Sequence, residues 1–133
     1  MIFMKNLPSV DMWLKQAKAE TAAADCGMFL VHNGVVRQSA KAKVRQGAEN
    51  TKPVRGMLFS YDAQKVSAAV KEAEALEGIS LVRVWLNEGE LSVGEDIMYV
   101  LIGGDIRPRV IDALQFLVGK IKNECVSETE IYE

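Results

Sequence analysis

Basic side chains crowd one stretch of this 133-residue chain. Arg37, Lys41, Lys43, Arg45, Lys52 and Arg55 lie between positions 37 and 55, with Glu49 the only acid among them. Such a segment reads either as a solvated loop or as a mobile arm that attracts an anionic ligand or an acidic partner surface. The C-terminal end is its opposite: Glu124, Glu128, Glu130 and Glu133 occur with no basic residue between them. Nucleic acid fits this pattern poorly, because the formal net charge is -2 and no aromatic stacking platform accompanies the basic residues.

Other residues able to do chemistry are sparse. The single histidine, His32, sits in an apolar run and reads first as a packed or hydrogen-bonded strand residue, and only second as a catalytic one. Cys26 and Cys125 are too few and too far apart for a disulfide framework. They read as reduced thiols in a cytoplasmic protein. A zinc site wants about four ligands, and one histidine does not supply them, so no metal is expected. Gly103-Gly104-Asp105 could cradle a phosphate at a helix start, or simply turn a strand into a helix. Glu95 and Asp96 are adjacent rather than facing, which suits a turn cap. The six methionines are dispersed, as core filling requires. No P-loop, dinucleotide fingerprint or nucleophile elbow is present.

The elements that must position these residues follow from hydrophobic periodicity. Ser9 is an N-cap for a helix that runs through the alanine-rich stretch to Ala24. Residues 28–36 form a strand, in which Asn33-Gly34 marks a bulge or a close backbone approach. Residues 38–53 lack any period and read as one long flexible loop. A strand at 54–61 precedes a helix at 63–76, capped by Asp62, closed by Gly78 and carrying Val66, Ala69, Val70 and Ala73 on one face. Residues 79–86 form another strand and 87–90 a turn. Residues 91–94 lead into a nearly continuous apolar strand at 96–102, which needs cover on both faces. Pro108 suits the first turn of a last helix reaching about Asn123, with a core stripe of Val110, Ile111, Leu114, Leu117, Val118 and Ile121. The tail at 125–132 alternates weakly, like an edge strand.

This order gives three helices and a mostly antiparallel sheet, an α+β class rather than a strictly alternating doubly wound one. The length and the 49% hydrophobic content suit one domain over residues 1–133 with a core of its own. No apolar run approaches the roughly 18 residues of a membrane span. The apolar tetrapeptide at 1–4 is too short for the hydrophobic region of a signal peptide.

Three blocks in collinear order resemble one known family. The first is Cys26-Gly27-Met28-Phe29-Leu30-Val31-His32-Asn33-Gly34-Val35-Val36-Arg37, a glycine followed by a strand that ends in Gly-x-Val-Arg. The second runs from Val84 through Gly89, Leu91 and Gly94 to Glu95-Asp96. The third spans 107–122, where Ala113, Gln115, Phe116 and Lys122 fall in register. Together they cover about two-thirds of the chain, and their succession is similar to the large, catalytic subunit of molybdopterin synthase, the MoaE family. That family also carries a basic loop after its Gly-x-Val-Arg.

The resemblance implies an α/β hammerhead-like fold, a homodimer, and a small ubiquitin-like sulfur-carrier partner ending in Gly-Gly. It implies transfer of sulfur from a thiocarboxylate on that carrier to cyclic pyranopterin monophosphate, forming the molybdopterin dithiolene without a cofactor of the protein's own. It assigns catalysis to Lys122 and Arg37. Substrate binding falls to Arg107, with Lys41, Lys43 and Arg45 of the basic loop. Cations suit this work, because the substrate is a phosphate and attack on the thiocarboxylate develops negative charge. Without the resemblance Lys122 is a solvated helix end, favoured by the macrodipole. The chain departs from the family at Ile106, where a histidine is usual, and at Thr129, where a second lysine falls in ungapped register. Those departures carry the alternative reading: a non-catalytic relative that binds a carrier or pterin ligand in a regulatory role.

Overall fold

A computed structural model of the chain describes residues 7–49 and 51–133. The apolar tetrapeptide at 1–4 lies outside the described residues. The elements run α1 (Val10–Ala19), a 3-10 turn (Thr21–Asp25), β1 (Met28–Val35), α2 (Lys41–Gln46), β2 (Val54–Tyr61), α3 (Ala63–Glu74), β3 (Ile79–Leu86), β4 (Gly89–Ser92), β5 (Asp96–Gly104), α4 (Arg107–Lys120), a π turn (Ile121–Cys125) and β6 (Val126–Tyr132). The class is α+β, with two antiparallel three-stranded sheets ordered β1-β5-β3 and β4-β2-β6. Four α-helices are present among the described residues, one more than the sequence pattern suggests.

The first sheet is built around β5, whose residues from Ile97 to Gly104 are all buried. Side chains alternate across a strand, so its two faces need separate cover. Val100 and Ile102 join Val82 of β3 under α3 and α4, where Ala69, Ala73, Val110, Ala113 and Leu117 complete the main core. Leu101 faces the other way with Leu81, and α1 covers both through Ala17, Trp13 and Leu14. Both faces are therefore covered within one chain, and a second protomer is not needed to bury this strand. On α4 the fully buried stripe is Val110, Ala113 and Leu117, continued by Ile121 in the π turn, at spacings of three and four. Ile111, expected in that stripe, is 37% exposed.

Local chemistry sets most boundaries where the sequence pattern puts them. The Ser9 hydroxyl accepts from the Met12 N–H at 3.3 Å, and the Asp62 carboxylate accepts from Gln64 and Lys65 at 3.0 and 3.1 Å. Both satisfy N–H groups that a helix start leaves without partners. The bulge at Asn33-Gly34 is present, as the β1–β5 register shifts between Gly34 and Val35. The weakly alternating tail is β6, an edge strand beside β2. Gly103-Gly104-Asp105 is a strand-to-helix junction: the Asp105 carboxylate accepts from the Ile106 N–H at 2.7 Å and pairs with Arg109 at 2.6 Å.

Three readings need correction. The first helix stops at Ala19, because Glu20 adopts extended backbone (ψ 150°) and the alanines beyond it form a 3-10 turn. The stretch at 38–53 is not wholly irregular, since α2 occupies its middle. The turn read at 87–90 and the lead-in at 91–94 instead share β4, since residues 89–92 form a strand that turns away to pair with β2. Asn87 makes that departure possible. It is the buried polar side chain among the described residues, donating to the Asp96 carbonyl at 2.9 Å and accepting from the Glu88 N–H at 2.8 Å. No helix among the described residues is long and apolar enough to cross a membrane.

The packing predicts one sensitive backbone position. A Cβ on Gly104 would lie 2.7 Å from both the Gly78 carbonyl oxygen and a Val110 methyl. Gly104→Ala should destabilise the protein by about 1–3 kcal/mol through overpacking. A reduced urea midpoint with an unchanged m-value would register it, and an unaltered midpoint would contradict the close approach.

Candidate active site

The second sheet carries the site. On β6, residues two apart share a face, which points Glu128 and Glu130 toward the same cleft. The π turn, a wide single turn often found at functional positions, brings Lys122 round to meet them. From the other side come Val35 and Arg37 at the end of β1 and beyond it. Lys41 and Arg45 come from α2, with Met57 from β2 and Ile97 from β5. These nine residues line a pocket of about 90 Å³.

Helical spacing explains which basic residues reach the pocket. Lys41 and Arg45 are four apart and lie on one face of α2. Lys43 falls on another face and lines a separate cleft with Gln38, Ser39, Lys52 and Pro53. Four of the six expected site residues, Arg37, Lys41, Arg45 and Lys122, therefore share one pocket. Lys43 does not. Arg107 does not either: it sits exposed at the start of α4, outside the pocket-lining set.

Hydrogen bonds hold the arrangement. The Arg37 Nε–H donates to the Ser39 carbonyl at 3.0 Å, which ties the guanidinium to its own loop. Ala40, the residue before α2, offers no capping side chain. Glu130 supplies the missing acceptor, taking the Lys41 backbone N–H at 2.9 Å. A carboxylate at that end also complements the helix dipole. The acidic strand thereby fastens the basic segment against the second sheet. Lys122 Nζ donates to Glu128 at 2.6 Å, with side chains only 30% and 15% exposed. Lys122 is thus not a solvated helix end.

His32 enters this neighbourhood, which periodicity alone did not reveal. It is half-buried on β1, and its pKa lies below the ordinary 6.5, first through desolvation and then through the positive charge of Lys122. Glu128 and Glu130 were also missed as site residues, although their two-residue spacing in an alternating tail was the available signal. A larger cleft of about 530 Å³ lies at the far end of β3, lined by Tyr61, Val66, Trp85, Asn87, Glu88 and neighbours. It has no basic residue, so its size does not make it an anion site. Among the described residues no group of three or more His, Cys, Asp or Glu side chains is placed to hold a metal.

Two outcomes follow from this geometry. Lys122→Met should raise the His32 pKa toward 6.5 in an NMR titration, and an unmoved value would contradict their proximity. The same substitution leaves the Glu128 carboxylate without its cation, costing about 1–3 kcal/mol in chemical denaturation, more than loss of an exposed helix-end lysine. The pH dependence has a definite sign as well. The folded His32 resists protonation relative to the unfolded chain, so its contribution to stability is complete above about pH 6.5 and is lost as the pH falls through the folded value. His32→Gln should flatten the decline in thermal midpoint just below that pH.

The chain matches the family profile described as MoaE protein over residues 9–124. Among solved structures, molybdopterin synthase from Staphylococcus aureus superposes with a TM-score of 0.73 at 13% identity, over 96% of this chain and 88% of that one. The molybdopterin biosynthesis MoaE protein from Burkholderia ambifaria gives 0.70 at 15% identity, over 96% and 85%. A complex of subunits 1 and 2 of molybdopterin-converting factor from Helicobacter pylori gives 0.64 at 15% identity, over 95% and 80%. Comparison with curated proteins finds no match. The solved structures establish a shared fold, and the family profile, spanning most of the chain, establishes more: this chain belongs to the MoaE family of molybdenum cofactor biosynthesis.

Proposed function

We propose that the chain is the large subunit of a molybdopterin synthase. In this reading it takes sulfur from the thiocarboxylated C-terminus of a small ubiquitin-like carrier ending in Gly-Gly and delivers it to cyclic pyranopterin monophosphate, forming the dithiolene. The observation that carries the reading is a pocket in a MoaE-family chain where Arg37, Lys41, Arg45 and Lys122 converge on about 90 Å³ of space. Preorganised cations in a restricted volume stabilise a bound anion and the negative charge that develops as sulfur attacks. Arg37 and Lys122 are the catalytic candidates, because both face the cavity where an anionic group would sit. Lys41 and Arg45 would guide and hold the anion. Lys43 and Arg107 stand outside this pocket, and their proposed part in substrate binding is limited to capture of the approaching anion.

The partner assignment draws support from the Helicobacter pylori structure, which holds subunits 1 and 2 of molybdopterin-converting factor together. The homodimer rests on the family resemblance alone, because β5 is already covered within one chain. A cytoplasmic location accords with Cys26 and Cys125 as free thiols.

Reconstitution tests the reading. The purified protein, a thiocarboxylated carrier and the cyclic pterin should yield dithiolene. Lys122→Ala should lower the rate by about 10²–10⁴-fold if the amine moves a proton in the reaction. Carrier binding without product from the wild-type protein would instead favour the non-catalytic, regulatory alternative. Light scattering at micromolar concentration should give twice the 14.7 kDa chain mass, and a value near the single mass would remove the homodimer from the proposal.

A further inference from the structure

The proposed chemistry leaves two carboxylates in the pocket without a role. Glu128 lies 2.6 Å from Lys122 Nζ. Glu130 takes the Lys41 N–H and also the Tyr132 hydroxyl, each at 2.9 Å, so its place is that of a tether for α2 and the strand end. Glu128 does no comparable structural work. Its backbone pairs opposite Phe59 of β2 whatever side chain it carries. A carboxylate with 15% of its side-chain surface exposed is costly unless paired, and Lys122 is the ion-pair partner it has. Four cations and two carboxylates leave the pocket lining a formal charge of +2. The cavity measures about 90 Å³. A carboxylate or phosphate group fits that space.

We infer that Glu128 is the internal counter-ion of Lys122, occupying the seat of an incoming carboxylate or phosphate monoester and competing with it for the ammonium. Two carboxylates on one ammonium repel each other, so a ligand anion competes with Glu128 for Lys122. The competition penalises every anion, and only one that also engages Arg37, Lys41 and Arg45 overcomes it. Specificity here comes from built-in competition as much as from attraction. Glu128 is accordingly a specificity residue that acts through Lys122. The inference rests on the synthase reading only for the source of the anionic group, which is either the carrier's C-terminal carboxylate or the phosphate of the pterin.

Binding measurements on the full chain test it. The probes are inorganic phosphate and a short peptide ending in Gly-Gly, prepared with a free C-terminal carboxylate and, separately, as the amide. Calorimetry gives the affinity. The NMR titration of His32, the single histidine of the chain, reports occupancy beside Lys122. Glu128→Gln should bind phosphate or the free-carboxylate peptide about tenfold more tightly than wild type, as removal of a competing charged hydrogen bond requires. The amidated peptide should gain nothing. Tightening confined to phosphate, or to the free peptide, supports the inference and identifies which group takes the seat. Glu128→Asp, which keeps the charge but shortens its reach to Nζ, should show a smaller gain and stands in if the glutamine variant folds poorly. Unchanged or weaker binding of both anionic probes by both variants would overturn the inference. In that event dithiolene formation by the wild type would leave the synthase reading standing. Tighter anion binding by Glu128→Gln without any dithiolene from the wild type would remove the synthase reading and keep the counter-ion.

Discussion

The burial of β5 on both faces is the constraint from which the remaining architecture follows. An antiparallel strand covered on one side can leave its other side to water, but Val100 and Leu101 point to opposite faces and both are fully buried. One cover is α3 and α4, and the other is α1, so the chain needs helices on each side of a three-stranded sheet. β1 and β3 flank β5 and supply its hydrogen bonds along its length. Close packing then reaches the end of the strand. Gly103 lies against the Phe29 ring and Gly104 against the turn at Gly78, positions where any side chain would collide.

With the first sheet committed to burial, the charged pocket opens where its edge meets the second. β4, β2 and β6 form a smaller sheet whose contribution to the main core comes through Phe59, Leu91 and the partly buried Met57 and Val126. Its edge strand β6 is free to carry charge, and it carries it inward. The π turn at Ile121–Cys125 places Ile121 and Cys125 in the core while Lys122 turns toward the pocket. One short segment thus anchors itself by apolar burial and presents a cation on its other side. The acidic strand and the basic helix α2 meet across the cavity through Glu130, so a carboxylate capping the Lys41 N–H fastens a segment that buries no residue of its own.

The relation to solved MoaE structures shows how little sequence identity such a design needs. At 13–15% identity the fold is retained over nearly the whole chain. A core tolerates many apolar substitutions when volume and patterning are kept. A charged pocket is less forgiving, because one misplaced charge leaves its partner unpaired. This chain has carboxylates facing the pocket at Glu128 and Glu130 and answers them with Lys122 and the α2 backbone.

Long periodic elements were legible in the amino-acid sequence. The strands at 54–61 and 79–86 match β2 and β3, Asp62 and Ser9 cap the helices they precede, and the apolar run at 96–102 is the buried centre. Local pattern suffices there, because a strand or helix with one apolar face states its own geometry. The basic segment and the family resemblance pointed to Arg37, Lys41, Lys43, Arg45, Arg107 and Lys122, four of which line one pocket. Tertiary structure decided the rest. β4 has four residues and α2 six, too short for periodicity to separate from turn, and each exists through partners distant in sequence: β2 for the one and Glu130 for the other. The exclusion of Lys43 depends on α2 being helical, and that of Arg107 on where α4 begins relative to the second sheet. Glu128 meets Lys122 because the π turn folds the lysine back toward β6, and His32 on β1 feels the same charge, a conjunction of three elements that spacing along the chain does not encode.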